Sequence, residues 1–199
     1  MKYLAFLGLP TLLLSLGLAP TPAVPSAAPA PAAGTFQVDS GHSSVVFSVK
    51  HAGASWFYGT FDEVKGAFTM NADDPAASKV TIEIGAASVN TRSADRDGHL
   101  ASPDFFNSAE FPTITFESTS VARSDKGLEL TGDLTLLGKT VEIKASAEHI
   151  GDGEFRGARS GWETRFEIQR SEFGMNYGLE AGVLGDTVRV IVALEGVQN

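Results

Sequence analysis

The chain has 199 residues, with 24 Asp and Glu against 15 Lys and Arg, and it contains no cysteine. This length suits one domain, and a formal charge of −9 disfavours nucleic acid and anionic membrane surfaces as partners. Without cysteine there are no disulfide bonds, so the hydrophobic core alone must hold the fold. A lipid-anchored lipoprotein, which needs an N-terminal cysteine, is excluded as well.

The beginning of the chain has the composition of an export signal. Lys2 is the only charge in the first 34 residues, and the apolar run Tyr3–Ala19 follows it. A positive residue, an apolar run and small residues beyond it are typical of a secretory signal peptide. The alternative is a retained anchor, but the run is shorter than the ~20 residues of a spanning helix. We therefore expect a signal peptide over 1–23, a disordered Pro/Ala-rich tail over 24–34 and a folded domain over 35–199.

The folded part has a dominant hydrophobic period of two. Apolar and polar residues alternate in Phe36–Val38, Val45–Val49, Val80–Ile84, Ile114–Phe116, Leu128–Leu136, Val141–Ala147, Trp162–Ile168 and Val188–Leu194. Such alternation predicts antiparallel strands with one buried face. Glycine-containing turns separate the runs, at the spacing of a sandwich or barrel with about eight to ten strands. Closing the sheet removes its exposed edges, so we expect an all-β antiparallel barrel of about eight strands.

One segment, residues 90–112, lacks this alternation. Ser93 is suited to cap a short helix that runs through Leu100, and Ser102 followed by proline is suited to begin a second helix. The stretch RDGHLASPDFF, residues 96–106, is therefore expected in a helical crossover at one end of the barrel. An eight-stranded barrel is wide enough to be filled by side chains or to hold one ligand.

The crossover ends in two adjacent phenylalanines. Neighbouring helical residues point about 100° apart, so we expect one ring to plug the barrel end and the other to enter the interior. Further interior residues that could join them are Phe116, Phe166, Phe173 and Met175. Plain core packing is the alternative for each ring, because large aromatic residues dominate cores.

Arg170 stands where a strand leaves the barrel. We expect it to pair with an acid such as Asp97 or Asp104, or else to meet a ligand head group. The glycine-rich stretch FGMNYGLEAGVLGD, residues 173–186, lacks the lysine and hydroxyl end of a phosphate-binding loop. It is expected to form a mobile flap beside the barrel mouth.

Catalytic and metal sites are weakly indicated. His99 lies close in sequence to three aspartates, and a His–carboxylate pair can do acid–base work. However, the chain has neither cysteine nor a G-x-S-x-G nucleophile motif. His42, His51, His99 and His149 are scattered and lack the paired spacing of metal ligands. We expect no enzyme activity, no metal and no cofactor.

Several motifs together resemble one known family. In order along the chain they read VDSGHSSVVFSVKH, GTFDEVKGAF, VNTRSADRDGHLASPDFFNSAEFPTITFES, LTGDLTLLGKTVEI, IQRSEFGM and GDTVRVIVALE. From Phe36 to Val197 this set is similar to the YceI-like family of bacterial polyisoprenoid-binding proteins. Gln169 and Glu172 stand where family members often carry Asn and Asp, which affects polar details of a site and not the fold.

The resemblance implies a lipocalin-like barrel with an interior tunnel, in a periplasmic or secreted protein. It also implies a bound long-chain isoprenoid of quinone or polyprenyl type, which the protein would sequester, store or transport. Residues expected to contact this lipid are His99, Phe105, Phe106, Phe116, Phe166, Arg170, Phe173 and Met175. Transient membrane or membrane-protein contact and a homodimer stay open. The alternatives are an exported enzyme that uses His99 on an isoprenoid or acyl substrate, and a ligand-free barrel that serves as an interaction or stress module.

Overall fold

A computed structural model describes residues 34–71, 73–125 and 127–198. The predicted signal peptide, and all but the last residue of the predicted tail, lie outside the described residues. The strands are β1 (Gly34–Val38), β2 (Ser44–His51), β3 (Ser55–Phe61), β4 (Val64–Met70), β5 (Lys79–Gly85), β6 (Val89–Asn90), β7 (Thr113–Ser124), β8 (Gly127–Leu136), β9 (Lys139–Glu154), β10 (Ala158–Gln169) and β11 (Leu184–Val197). Helix α1 spans Ala94–Ala101, and short 3-10 turns occupy Pro75–Ala77, Ala86–Ser88 and Arg170–Phe173.

Eight of these strands form a closed antiparallel ring. Their order is β1, β4, β5, β7, β8, β9, β10 and β11, and β1 returns to pair with β11. The closing register joins Gln37 to Val197 and Val38 to Gly196. The prediction of an all-β antiparallel barrel of about eight strands is therefore confirmed.

The remaining three strands extend the ring at one end. β2 pairs with β11 beyond the contact with β1, and β3 and then β6 follow. Among the described strands, β6 pairs with β3 alone, while β7 pairs with β5 and β8. The three-strand extension therefore does not close on the ring, because β6 and β7 are not paired. The crossover that contains α1 connects these two strands along the chain.

The crossover contains one helix and not two. α1 begins after Ser93, as predicted, but the second helix predicted from Ser102 is wrong, because that stretch is only a series of turns. The backbone N–H groups of Phe106 and Ser108 return to the carbonyls of Leu100 and Ala101, at 2.9 and 3.0 Å. The chain therefore folds back on the end of α1 where the second helix was predicted. Within the part that the structure describes, no helix is long and apolar enough to cross a membrane.

Aromatic rings occupy part of the barrel interior, and several of them pack directly against glycines of the strands. A Cβ added to Gly196 would stand 2.5 Å from the Phe68 ring, and Phe68 stacks on Phe36 at 5.4 Å between centroids. A Cβ on Gly132 would likewise stand 2.6 Å from the ring of Phe116. The absence of a side chain at these glycines is therefore what makes room for the rings.

The two ends of the barrel differ. β11 begins at Leu184, which pairs with His51 at the end of β2, and it ends at Val197, which pairs with Gln37 in β1. Gly34 and the β2–β3 turn consequently lie at opposite ends of the barrel.

Candidate ligand-binding cavity

The barrel encloses a cavity of about 500 Å³. Its walls come from inward-facing residues of the alternating strands, among them Val45, Ile84, Ile114, Leu134, Leu136, Ile168, Val188 and Val190. Among the described residues, no Asp or Glu side chain lines it. The period of two in the sequence produces these apolar walls, because every second residue points inward.

The cavity opens at the end that carries the β2–β3 turn. Polar residues that line it there, His51, Ser55, Arg96, His99 and Tyr177, are all exposed. They come from the β2–β3 turn, from α1 and from the loop before β11. The cavity therefore has an apolar interior and a polar mouth.

Hydrogen bonds hold the crossover against the barrel at this mouth. Arg96 donates from Nε to the hydroxyl of Thr91 and from Nη2 to its carbonyl, both at 2.8 Å. The carboxylate of Asp97 accepts the backbone N–H of Thr91 at 2.8 Å. The guanidinium of Arg96 also lies 4.6 Å from the centre of the Phe57 ring in β3. This arrangement fixes one wall of the mouth.

His99 joins the crossover to the loop before β11. Its Nε2 lies 2.8 Å from Oδ2 of Asp104, so the two side chains share a hydrogen bond. Its ring meets Phe105 and Tyr177 edge to face, with centroids 5.1 and 5.0 Å apart. The hydrogen bond and the two ring contacts hold the His99 side chain at the mouth.

The two adjacent phenylalanines divide as the sequence predicts. Phe106 enters the interior, where its ring packs edgewise on Phe47 and Phe61 at 6.4 and 5.2 Å. Phe105 stays at the mouth beside Tyr177, with ring centroids 5.0 Å apart. Both line the cavity, although a turn and not a helix separates their directions.

Arg170 is buried, with 3% of its surface exposed, and it holds the loop before β11 in place. It donates to the carbonyls of Met175, Tyr177 and Gly185 at 2.8–2.9 Å, and to that of Leu184 at 3.4 Å. The planar guanidinium has five donors in a fork, which suits several carbonyls at once. Both ends of the loop are thereby clamped to one side chain.

The predicted acidic partners of Arg170 are wrong. Asp97 binds Thr91 and Asp104 binds His99, so neither carboxylate reaches Arg170. Burial lowers the pKa of the Arg170 guanidinium below its usual value, and the charge of Asp186 acts in the opposite direction. Carbonyl acceptors thus provide the hydrogen bonds that a buried cation needs.

Six of the eight residues predicted to contact a ligand line the cavity, namely His99, Phe105, Phe106, Phe166, Arg170 and Met175. Phe116 and Phe173 do not. The ring of Phe116 lies over Gly132, and Phe173 is 1% exposed within the core. Sequence reasoning missed His51, Phe57 and Tyr177, because only the closed fold brings their segments together.

One group of side chains outside the cavity has the spacing of metal ligands. Asp39, His42 and Glu195 form the only such group among the described residues. Arg159 already binds both carboxylates, at 2.8 Å for Asp39. Hydrogen bonds from Arg159 and then from His42 lower the pKa of Asp39 to about 2. The group therefore has the character of an ion-pair cluster.

The amino-acid sequence matches a known domain and known proteins. Residues 36–196 match the YceI-like domain. Protein YceI of Escherichia coli O17:K52:H18 (strain UMN026 / ExPEC) is 42% identical over 160 residues, which cover 79% of this chain and 83% of that protein.

Two solved structures are similar in fold. BcnA of Burkholderia cenocepacia superposes with a TM-score of 0.73 at 22% identity, over 79% of this chain and 98% of that one. A domain from Saccharophagus degradans, described as a polyisoprenoid binding domain implicated in plant cell wall breakdown, gives 0.61 at 16% identity. That match covers 82% of this chain and 98% of the other.

Proposed function

This chain belongs to the YceI-like family, and we propose that it binds a long-chain isoprenoid lipid of quinone or polyprenyl type inside its barrel. The observation that carries the proposal is the cavity of about 500 Å³, which is apolar inside and opens at a polar mouth. The lipid chain would occupy the interior, and its head group would lie near Arg96 and His99. The protein would sequester, store or transport the lipid by keeping its chain away from water.

The dimensions and chemistry of the cavity support this proposal. Ligand pockets commonly measure about 300–1,000 Å³ and are lined mostly by apolar side chains. Burial of each CH₂ group is worth roughly 0.8 kcal/mol, so several isoprene units would bind well without specific chemistry. The similarity in fold to a domain described as polyisoprenoid-binding points in the same direction.

We also propose that the protein is exported, to the periplasm or beyond. Support comes from the sequence of residues 1–23, with one lysine, an apolar run and small residues. Determination of the amino terminus of the protein isolated from its host tests this part. A terminus close to Val24 is expected, and an intact Met1 would contradict it.

The second candidate function is an exported enzyme that uses His99 as a base on an isoprenoid or acyl substrate. The 2.8 Å contact between His99 and Asp104 at the cavity mouth favours it. Turnover by the wild type that is lost in His99→Ala, with ligand binding retained, would establish this reading. The ligand-free barrel has less support, because the interior is not filled by side chains.

The first experiment is native mass spectrometry of the protein isolated without detergent, followed by solvent extraction and identification of the lipid. One isoprenoid per chain is the expected result. A bare protein mass, together with no uptake of added quinone or polyprenol, would contradict the proposal.

A pair of variants tests whether the lipid occupies the cavity. Val190 lines the cavity, and Ile191 points to the opposite face of the same strand. Val190→Trp should fill part of the cavity and reduce the bound lipid by roughly tenfold or more, because one indole replaces several CH₂ groups of ligand. Ile191→Trp adds the same ring outside and should retain the lipid. Equal retention in both variants would place the lipid elsewhere.

A further inference from the structure

Two loop tips frame the mouth of the cavity. Residues 51–55 join β2 to β3, and residues 177–183 precede β11. The backbone N–H of Ala52 donates to the carbonyl of Val183 at 2.7 Å, so the tips lie side by side. We call these two segments the mouth rim. Residues 51–55 are all exposed, and Glu180 is the only Asp, Glu, Lys or Arg in the rim.

Aromatic and cationic side chains lie directly behind the rim. Trp56 and Tyr58 alternate with the cavity-lining Phe57, so they face the outside of the barrel. The guanidinium of Arg189 lies 3.9 Å from the centre of the Trp56 ring, and Nζ of Lys50 lies 6.0 Å from it. Lys50 pairs with Trp56, and Tyr58 and Arg189 both pair with Ser48, so each aromatic ring has a cationic side chain at its own level. Trp and Tyr beside Lys and Arg, behind tips whose one charged residue is Glu180, are the residue types found at a membrane interface.

Some of the exposed apolar surface lies at the mouth and joins the cavity. Among the described residues, the large hydrophobic side chains exposed to solvent are Tyr58, Tyr177, Val183, Ile150 and Phe155. The first three lie at the mouth end, and two of them, Tyr177 and Val183, also line the cavity. Ile150 in β9 and Phe155 in the β9–β10 turn lie towards the other end. The apolar surface at the mouth is therefore continuous with the cavity.

We propose that the mouth rim docks on the surface of a lipid bilayer, so that an apolar chain passes between bilayer and cavity without crossing water. This inference rests on the proposed function. Apolar insertion and not charge drives the docking, because the whole chain carries a formal charge of −9 and the rim carries Glu180. Zwitterionic lipid should therefore be bound at least as well as anionic lipid.

The test is flotation of the purified protein on vesicles of phosphatidylcholine, alone or mixed with phosphatidylglycerol. Ala54→Glu and Ala181→Glu place a charge at each tip without touching the cavity lining. Ile150→Glu adds the same charge at the opposite end, where the side chain is 65% exposed. Each rim variant should bind vesicles roughly tenfold more weakly than the wild type, because a carboxylate resists insertion, and Ile150→Glu should bind like the wild type.

All proteins are compared in the same processed form, with the amino terminus checked by mass. Three results would overturn the docking: no vesicle binding by the wild type, rim variants that bind as well as the wild type, or binding to anionic vesicles alone. Lipid content is measured separately by extraction. Rim variants that keep their lipid but lose vesicle binding support both proposals. A wild-type protein that contains and takes up no lipid would overturn the proposed function. The vesicle comparison would still show whether the rim docks on a bilayer.

Discussion

Arg159 shows how one side chain with two ion pairs joins three strands. Arg159 lies in β10, Glu195 in β11, and Asp39 just after β1, and the guanidinium binds both carboxylates. The hydrogen bonds to Asp39 and Glu195 raise the pKa of Arg159. The hydrogen bonds from Arg159 and then from His42 lower the pKa of Asp39 from 3.8 to about 2. The pair stands where β1 closes the ring on β11.

This ion pair should give the stability a specific dependence on pH. Because the pKa of Asp39 is depressed in the folded state, its contribution is present above pH 3.8 and is lost as the pH falls to about 2. Arg159→Gln should therefore be less stable than the wild type at neutral pH, with the difference shrinking through that window. Urea unfolding between neutral pH and pH 2 measures it. Glu83→Gln, which removes one carboxylate of an exposed pair with Lys65, serves as the control. A difference that stays constant with pH would contradict the assignment.

For single residues, the sequence predicts burial better than it predicts hydrogen-bond partners. The alternation of Leu128, Leu130 and Leu134 predicts buried positions, and all three are buried. The partners of Arg170 were not predictable, because they are backbone carbonyls of a loop that only the folded chain brings near. Charge alone suggested Asp97 and Asp104, whereas closer neighbours, Thr91 and His99, take those carboxylates.

At the scale of elements, strand β3 shows how a glycine shapes the cavity. Gly59 is buried opposite Phe47, and an added Cβ would stand 2.3 Å from the Phe47 ring and 3.0 Å from Thr91 Cγ2. Phe47 lines the cavity and packs on Phe61 and Phe106. The position of this ring, and with it one cavity wall, depends on the missing side chain.

Gly59→Ala should displace the Phe47 ring towards the cavity. We expect a loss of about 1–3 kcal/mol in the free energy of unfolding, as for overpacked cores, and less bound lipid. Denaturant unfolding and lipid extraction measure the two effects. Gly161→Ala in β10 is a matched control, because its Cβ would meet its nearest atom at 3.5 Å. Equal stability of both variants would contradict the prediction, because it would show that the Phe47 ring shifts without an energetic cost.

The crossover shows that the same local signals can predict one helix correctly and another wrongly. Ser93 and the following residues predicted α1, and the helix is present. The next candidate start, Ser102 with Pro103, has the same local signals. It fails because Asn107 adopts a positive φ of 43° and the backbone returns to α1. Local propensity does not contain that tertiary contact.

At the scale of the whole molecule, the closed ring was predictable from periodicity, but the cavity was not. Alternation fixes which residues face inward, and eight strands allow either a filled or a hollow interior. The volume depends on where rings such as Phe116 and Phe68 settle, and those places are set by Gly132 and Gly196. Phe116, which was predicted for the cavity, lies off its walls because its ring packs over Gly132.

A bound lipid should stabilise the whole barrel. A ligand at 100 times its dissociation constant adds about 2.7 kcal/mol, which for a domain of this size raises the melting temperature by roughly 5–10 °C. Removal of the lipid by solvent extraction and refolding should therefore lower the melting temperature, and added isoprenoid should restore it. Val190→Trp should respond much less to either step. Calorimetry that finds no difference between loaded and lipid-free protein would speak against a ligand in the core.

Because Gly34 and the mouth lie at opposite ends, the chain before Gly34 is an attachment point far from the cavity opening. β11 has 14 residues, and at about 3.3 Å per residue with the usual barrel tilt it spans roughly 35 Å from one end to the other. A fluorescent protein, an affinity tag or a solid support joined before Gly34 would sit that far from Tyr177 and Val183. Immobilised in this orientation on a sensor surface, the molecule would keep its opening turned towards the solution, free to exchange its contents.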